Sequence, residues 1–227
     1  MSKRLLLWDI DATLISTAGA GLVALKRVVT ARYGIEDDLH DIEIAGRTDA
    51  RIARSILEKY GVETTAGNVS AFLDEYIALL GELLPQLNGC VLPGVAEVLA
   101  RMDGREDRVL GLLTGNLRRG AELKLRRYGL WDFFEFGAFA DDHHDRNELG
   151  SFARTRACER HQFEFPPSAI DVIGDTPHDI ACGKAFGART VAVATGSSTY
   201  EELAAHDPDF VFEDLSDVDA VVATLGW

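Results

Sequence analysis

The run Leu5-Leu6-Leu7-Trp8 is short, apolar and closed by Asp9-Ile10-Asp11-Ala12-Thr13. Runs of the same kind recur at residues 109–113, 170–173, 190–193 and 210–212, each separated from the next by helical periodicity. Continuous apolar runs of this length are the mark of strands buried on both faces. Strands that alternate with helices imply βαβ units and a parallel sheet. Between the first run and the rest lies a stretch with no convincing strand, from Gly19 to Leu87. A helix is expected over 21–33, with Leu22, Leu25, Val28 and Val29 on one side and Gly34 as its stop. A second is expected over 49–59, and a third capped by Asn68 that carries Phe72, Ile77, Leu80 and Leu83. The pattern predicts an α/β, Rossmann-like parallel-sheet core (residues 1–15 and 90–227) with an all-helical insert (16–89).

Composition narrows the function classes. The chain has 227 residues, enough for a sizeable core, and a formal net charge of −14, which argues against a polyanionic partner such as nucleic acid. Nothing approaches the roughly 20 apolar residues of a membrane span, and the run before Asp9 is too short for a signal peptide. Cys90, Cys158 and Cys182 are odd in number and scattered, as expected of reduced thiols in a cytoplasmic protein and of inert core positions.

Four polar features fall at or just beyond expected strand ends, the edge where open α/β sheets bind ligands. Asp9 and Asp11 follow the first strand. Thr114-Gly115-Asn116 follows the second. Gly174-Asp175-Thr176-Pro177-His178-Asp179 follows the third, and Arg146 opens the helix between. Two carboxylates so close raise each other's pKa unless a cation intervenes or they divide the labour of nucleophile and acid. Thr176 and Pro177 suit an N-cap and a first helical position, which puts Asp175 just before that helix and Asp179 in its first turn.

In that order the features resemble the haloacid dehalogenase superfamily, in its phosphoglycolate-phosphatase-like branch with a helical cap. Gly46-Arg47-Thr48-Asp49 and Leu92-Pro93-Gly94-Val95 strengthen the resemblance, which spans nearly the whole chain. It implies hydrolysis of a small phosphorylated metabolite through an aspartyl-phosphate, with Mg2+ held by Asp9, Asp11, Asp175 and Asp179. Asp9 is then the nucleophile and Asp11 the acid and base, while Thr114 and Arg146 meet the phosphoryl charge. Thr13, Arg47, Gly115 and Asn116 are the implied substrate contacts, with Arg47 suited to a second anion.

Two positions depart from the family's habit. Ala12 stands where glycine is usual, so the backbone there is expected to suit alanine. Arginine replaces the usual lysine at 146, and Lys124, Arg127, Arg154 and Arg156 are the other basic candidates. The cluster 141–145, with His143 and His144, reads as a solvated acidic loop, and His178 as a helix-surface residue. A glycine pattern at Gly19 and Gly21 lies too far from the preceding strand to bind a dinucleotide. Trp8, Trp131 and Trp227 read as packing residues. A phosphosugar mutase shares every core motif. A dehalogenase needs neither metal nor the extra carboxylates, and a regulatory receiver module would be about half this length.

Overall fold

The computed structural model describes residues 3–227. Its centre is a six-stranded parallel sheet in the order β5-β4-β1-β6-β7-β8. The strands are β1 (Arg4–Trp8), β4 (Arg108–Leu113), β5 (Gly137–Ala138), β6 (Ile170–Gly174), β7 (Arg189–Val193) and β8 (Phe210–Phe212). Leu5 pairs with Val109 on one side and Ile170 on the other, so β1 is the middle of the sheet. Leu6 and Trp8 pack on one face with Leu110, Leu112, Val98 and Leu99. Leu5 and Leu7 pack on the other with Val109, Leu113, Ala153 and Phe165. This alternation with a period of two makes each apolar run a strand covered on both sides. Each leucine so buried contributes about 1.5–3 kcal/mol.

Helices cover the two faces: α4 (Val95–Met102), α5 (Arg118–Arg127), α6 (Arg146–His161), α7 (Pro177–Ala185), α8 (Tyr200–Ala204) and α9 (Val218–Leu225). The segment after β1 forms a separate layer of α1 (Ala20–Tyr33), α2 (Asp49–Lys59) and α3 (Ala66–Leu83). Its own apolar cluster includes Val28, Ile56, Phe72 and Leu80. Chain entry and exit are tied together by β2 (Ile15–Ser16) and β3 (Cys90–Val91), an antiparallel pair of two residues each. So short a ladder carries no periodicity and was not expected from the sequence.

Three local expectations need correction. Thr65, not Asn68, caps α3: its hydroxyl accepts from the Asn68 N–H at 3.2 Å, while Asn68 Nδ2 donates back to the Glu63 carbonyl. Cys90 is exposed rather than core, whereas Cys182 is buried. Ala12 has φ +58°, the left-handed region where a Cβ is strained by about 1–2 kcal/mol. The Ala12 carbonyl is held there by the Thr195 hydroxyl at 2.6 Å, and its N–H by the Ile15 carbonyl at 2.8 Å. Trp8 and Trp227 are buried and in contact, as packing residues should be.

Candidate active site

Asp9 is the first residue beyond β1, yet its N–H still donates to the Ile173 carbonyl at 2.9 Å. The sheet therefore holds its backbone while the carboxylate stands buried at the strand end. Ile10 then turns the chain, its carbonyl accepting from the Leu14 and Ile15 amides. That turn separates the two acids. Asp9 Oδ1 lies 3.0 Å from Arg146 Nη2. Asp11 Oδ2 instead accepts from Lys124 Nζ at 2.5 Å and Asn116 Nδ2 at 2.9 Å. Each carboxylate has its own cation, which answers the charge problem posed by their spacing.

Arg146 enters from the first residue of α6, where the Asp145 side chain caps the helix. It also bonds Asp179 and donates to the Gly46 carbonyl at 3.2 Å. Asp179 Oδ2 accepts from the Thr176 amide at 3.0 Å and hydroxyl at 2.7 Å. Asp179 thus secures the start of α7 and presents its other oxygen to the site. Thr13 donates to Asp175 Oδ1 at 3.2 Å. Oxygens of Asp9, Asp175 and Asp179 lie within 4.8 Å of one another, all three residues buried.

Burial raises the Asp9 carboxyl above its ordinary pKa; Arg146 opposes this, while Asp179 and Asp11 add to it. Asp175 is raised by burial and by Asp179 and Asp9. Burial pulls Arg146 down, but the Asp179 and Asp9 charges outweigh it and hold the guanidinium above its usual value. Crowded, desolvated carboxylates of this kind call for a cation. The donor set is all carboxylate oxygen, as hard divalent ions require. Asp9 Oδ1 accepts no well-aligned hydrogen bond, so its contact with Arg146 leaves it free to coordinate. The site fits a divalent metal.

Above the acids is a cavity of about 560 Å³, within the range of small-molecule sites. Asp9, Asp11, Arg146, Asp175, Gly115, Asn116 and Arg47 border it. Thr13, Thr114 and Asp179 stand behind it. Thr13 reaches the site through Asp175, and the Thr114 hydroxyl accepts from Asn116 Nδ2 at 2.8 Å. A second cavity of about 550 Å³ opens around Arg105, Asp107 and Arg108, at the start of β4. It lies at the wrong edge of the sheet for this chemistry. The 141–145 loop makes structural contacts: Asp142 pairs with Arg156, and the His144 carbonyl accepts from the Thr48 hydroxyl at 2.6 Å. Arg154 likewise serves structure, donating to the Phe165 carbonyl.

The site holds Lys124 as well as Arg146, and it also takes Asp49 and Tyr76 from the helical layer. The sign of Lys124 in the sequence is its place on the buried stripe of α5, beside Gly120, Ala121 and Leu125. A lysine on an apolar face needs a buried partner, here Asp11. Asp49 belongs to the cap motif Gly46-Arg47-Thr48-Asp49, and Tyr76 carried no signal.

The helical layer meets the sheet at Gly115. The Asp49 N–H donates to the Gly115 carbonyl at 2.7 Å, and Asp49 Oδ2 accepts from the Leu117 N–H at 2.7 Å. A Cβ on Gly115 would sit 2.2 Å from the Arg47 carbonyl oxygen, backbone that cannot rotate away. Gly115→Ala is expected to push the layer outward and lower kcat/KM by on the order of 10²-fold with the fold retained. Steady-state kinetics beside a thermal melt check this, and wild-type kinetics would show the approach to be unimportant.

The HAD-hydrolase-like family model matches residues 149–218. Pyrophosphatase PpaX of Bacillus velezensis is 31% identical over 221 residues, covering 94% of this chain and 93% of that protein. Probable phosphatase IndB of Dickeya dadantii is 27% identical over 221 residues, covering 95% and 92%. Among solved structures, CbbY from Rhodobacter sphaeroides in complex with phosphate superposes with a TM-score of 0.78 at 15% identity, covering 95% and 96%. Phosphoglycolate phosphatases are also among the relatives. Identity sustained over nearly all of both chains, on a sheet that carries its acids at the same edge the motifs foretold, places the chain in the haloacid dehalogenase-like hydrolases.

Proposed function

We propose that the protein is a Mg2+-dependent phosphomonoesterase that acts on a small phosphorylated metabolite in the cytoplasm through an aspartyl-phosphate. The observation that carries this reading is Asp9: a buried carboxylate beside Arg146, within 4.8 Å of two further carboxylates, at the floor of a cavity. Residues 16–89 act as a helical cap over a core of residues 1–15 and 90–227, excluding water around the reacting group.

Asp9 and Asp175 would hold the metal through their side chains, Asp11 through its carbonyl and Asp179 through water. When bound, the ion offsets the repulsion between the phosphate and Asp9. An Asp9 oxygen bonds to phosphorus as the ester P–O bond breaks, which divides one hard hydrolysis into two steps. Asp11 gives its proton to the departing alkoxide, then takes one from the water that attacks the acyl phosphate. Lys124 and Asn116 fix the direction of the Asp11 carboxylate during both transfers. Arg146 balances charge developing on the phosphoryl oxygens. The Thr114 hydroxyl and the Gly115 and Asn116 amides supply neutral donors there.

Purified protein should release phosphate from an aryl ester with Mg2+ and stop when a chelator is added. Asp11→Asn should slow an alkyl phosphate by about 10²–10⁴-fold, the usual worth of a positioned acid. It should slow an aryl phosphate much less, because an aryl oxide leaves without a proton. Equal losses on both esters would remove Asp11 from the acid role. An isomeric sugar phosphate in place of free phosphate would mark a mutase.

A further inference from the structure

The wall of the cavity supplied by the helical layer differs sharply from the core wall. Leu22, Leu25, Ile44 and Ile52 make it apolar, and its polar members are Thr17, Asp49, Tyr76 and Arg47. Arg47 is already engaged: its Nε and Nη2 both donate to Glu43 Oε2, at 2.9 and 2.5 Å. Glu43 Oε1 is 2.9 Å from His178 Nε2, so the carboxylate that holds Arg47 is itself anchored to α7. Tyr76 as a residue is 98% buried and borders the cavity, and its hydroxyl has no hydrogen-bond partner among the described residues. Asp49 spends Oδ2 on the Leu117 amide, and no partner is found for Oδ1 among the described residues. Burial lifts its carboxyl to about 6, against the pull of Lys124, so at neutral pH it is an acceptor. Before any metal is counted, four carboxylates (Asp9, Asp11, Asp49, Asp175) face three cations (Arg47, Lys124, Arg146) across the cavity, each cation already paired.

We infer that this wall selects phosphomonoesters of a partly apolar alcohol bearing a hydrogen-bond donor, hydroxyl or ammonium, for Asp49 and Tyr76, and that it rejects esters bearing a second anion. The inference rests on the phosphatase reading above and deepens it. An apolar chain lies against Leu22, Leu25 and Ile52, its donor reaches the free oxygen of Asp49, and the Tyr76 hydroxyl completes the donor's surroundings. A second carboxylate would meet Asp49 in a partly desolvated space, where juxtaposed like charges are strongly unfavourable. Arg47 does not offset this, because Glu43 holds it. In this arrangement the role of second-anion reader expected of Arg47 is opposed by its own neighbour.

The test compares kcat/KM for four esters with Mg2+: an aryl phosphate, propyl phosphate, 3-aminopropyl phosphate and 3-phosphooxypropanoate. The wild type should favour the amino ester over the carboxylate ester by about tenfold or more. Asp49→Asn should shrink that ratio about tenfold, chiefly through KM, and Tyr76→Phe should weaken the amino ester relative to propyl phosphate. Glu43→Gln, an exposed substitution compatible with folding, should free Arg47 and raise kcat/KM for the carboxylate ester several-fold. A wild type that prefers the carboxylate ester overturns the inference alone. So does a ratio that neither Asp49→Asn nor Glu43→Gln moves. If no phosphate leaves any of the four esters, the aryl one included, the phosphatase reading falls and this inference with it.

Discussion

Asp9→Asn is expected to lower kcat by on the order of 10⁴-fold or more while leaving the protein as stable as the wild type, or more so, in the absence of metal. The two halves of that result have separate causes. On the proposed mechanism turnover needs an anionic oxygen at the end of β1, and an amide in the same place cannot form the acyl phosphate. The fold does not need that charge. Burial and the neighbouring acids already raise the Asp9 carboxyl, so its ionised form sits in a place that disfavours it. Asparagine keeps the shape and removes the penalty. Arg146 loses one partner but keeps Asp179 and the Gly46 carbonyl. Phosphate release from an aryl ester and a thermal melt measure the two halves. Activity surviving in the variant would remove Asp9 as the nucleophile, and a collapsed melt would make it a structural residue.

The second large effect is stabilisation by a divalent ion, growing with pH. A carboxyl whose folded-state pKa lies above its unfolded value binds more protons in the folded state over the interval between the two. Stability therefore falls as pH rises through that interval. Asp9 and Asp175 both shift in this direction, so the metal-free protein loses stability as pH climbs above the ordinary carboxylate range. A divalent cation takes the place of those protons, so it binds better once they are gone. At 100 times its dissociation constant an ion that binds only the folded state adds about 2.7 kcal/mol. For a chain of this size that is about 5–10 °C in Tm. Mg2+ should produce a shift of that order at pH 8 and a markedly smaller one at pH 5, and Asp175→Asn should abolish it. A shift independent of pH, or one that survives Asp175→Asn, would place the ion elsewhere.

Much of the architecture was legible in the residues because it rests on short-range rules. The four-residue apolar run before Asp9 reads as a buried strand, and the structure puts Leu5 and Leu7 on one face and Leu6 and Trp8 on the other. The second expected helix, over 49–59, has the same bounds as α2. Pro177 and Thr176 marked the start of α7, and the acids Asp175 and Asp179 with it. The two-residue pair of β2 and β3 was not legible, because two residues hold no period.

What chain order alone determined was the set of groups that could do chemistry: the acids after the first and third apolar runs, the threonine after the second, and a basic residue between. What only packing decided was how they are shared out. The turn at Ile10 sends Asp9 to Arg146 and Asp11 to Lys124, two pairings that join residues more than a hundred positions apart. Packing also seats Asp49 and Tyr76 over the cavity and locks Arg47 onto Glu43. The physical reason is range. Strand and helix periodicities act over a few residues and can be read along the chain, whereas an ion pair depends on where distant segments come to rest, and that is settled only when apolar faces close against one another.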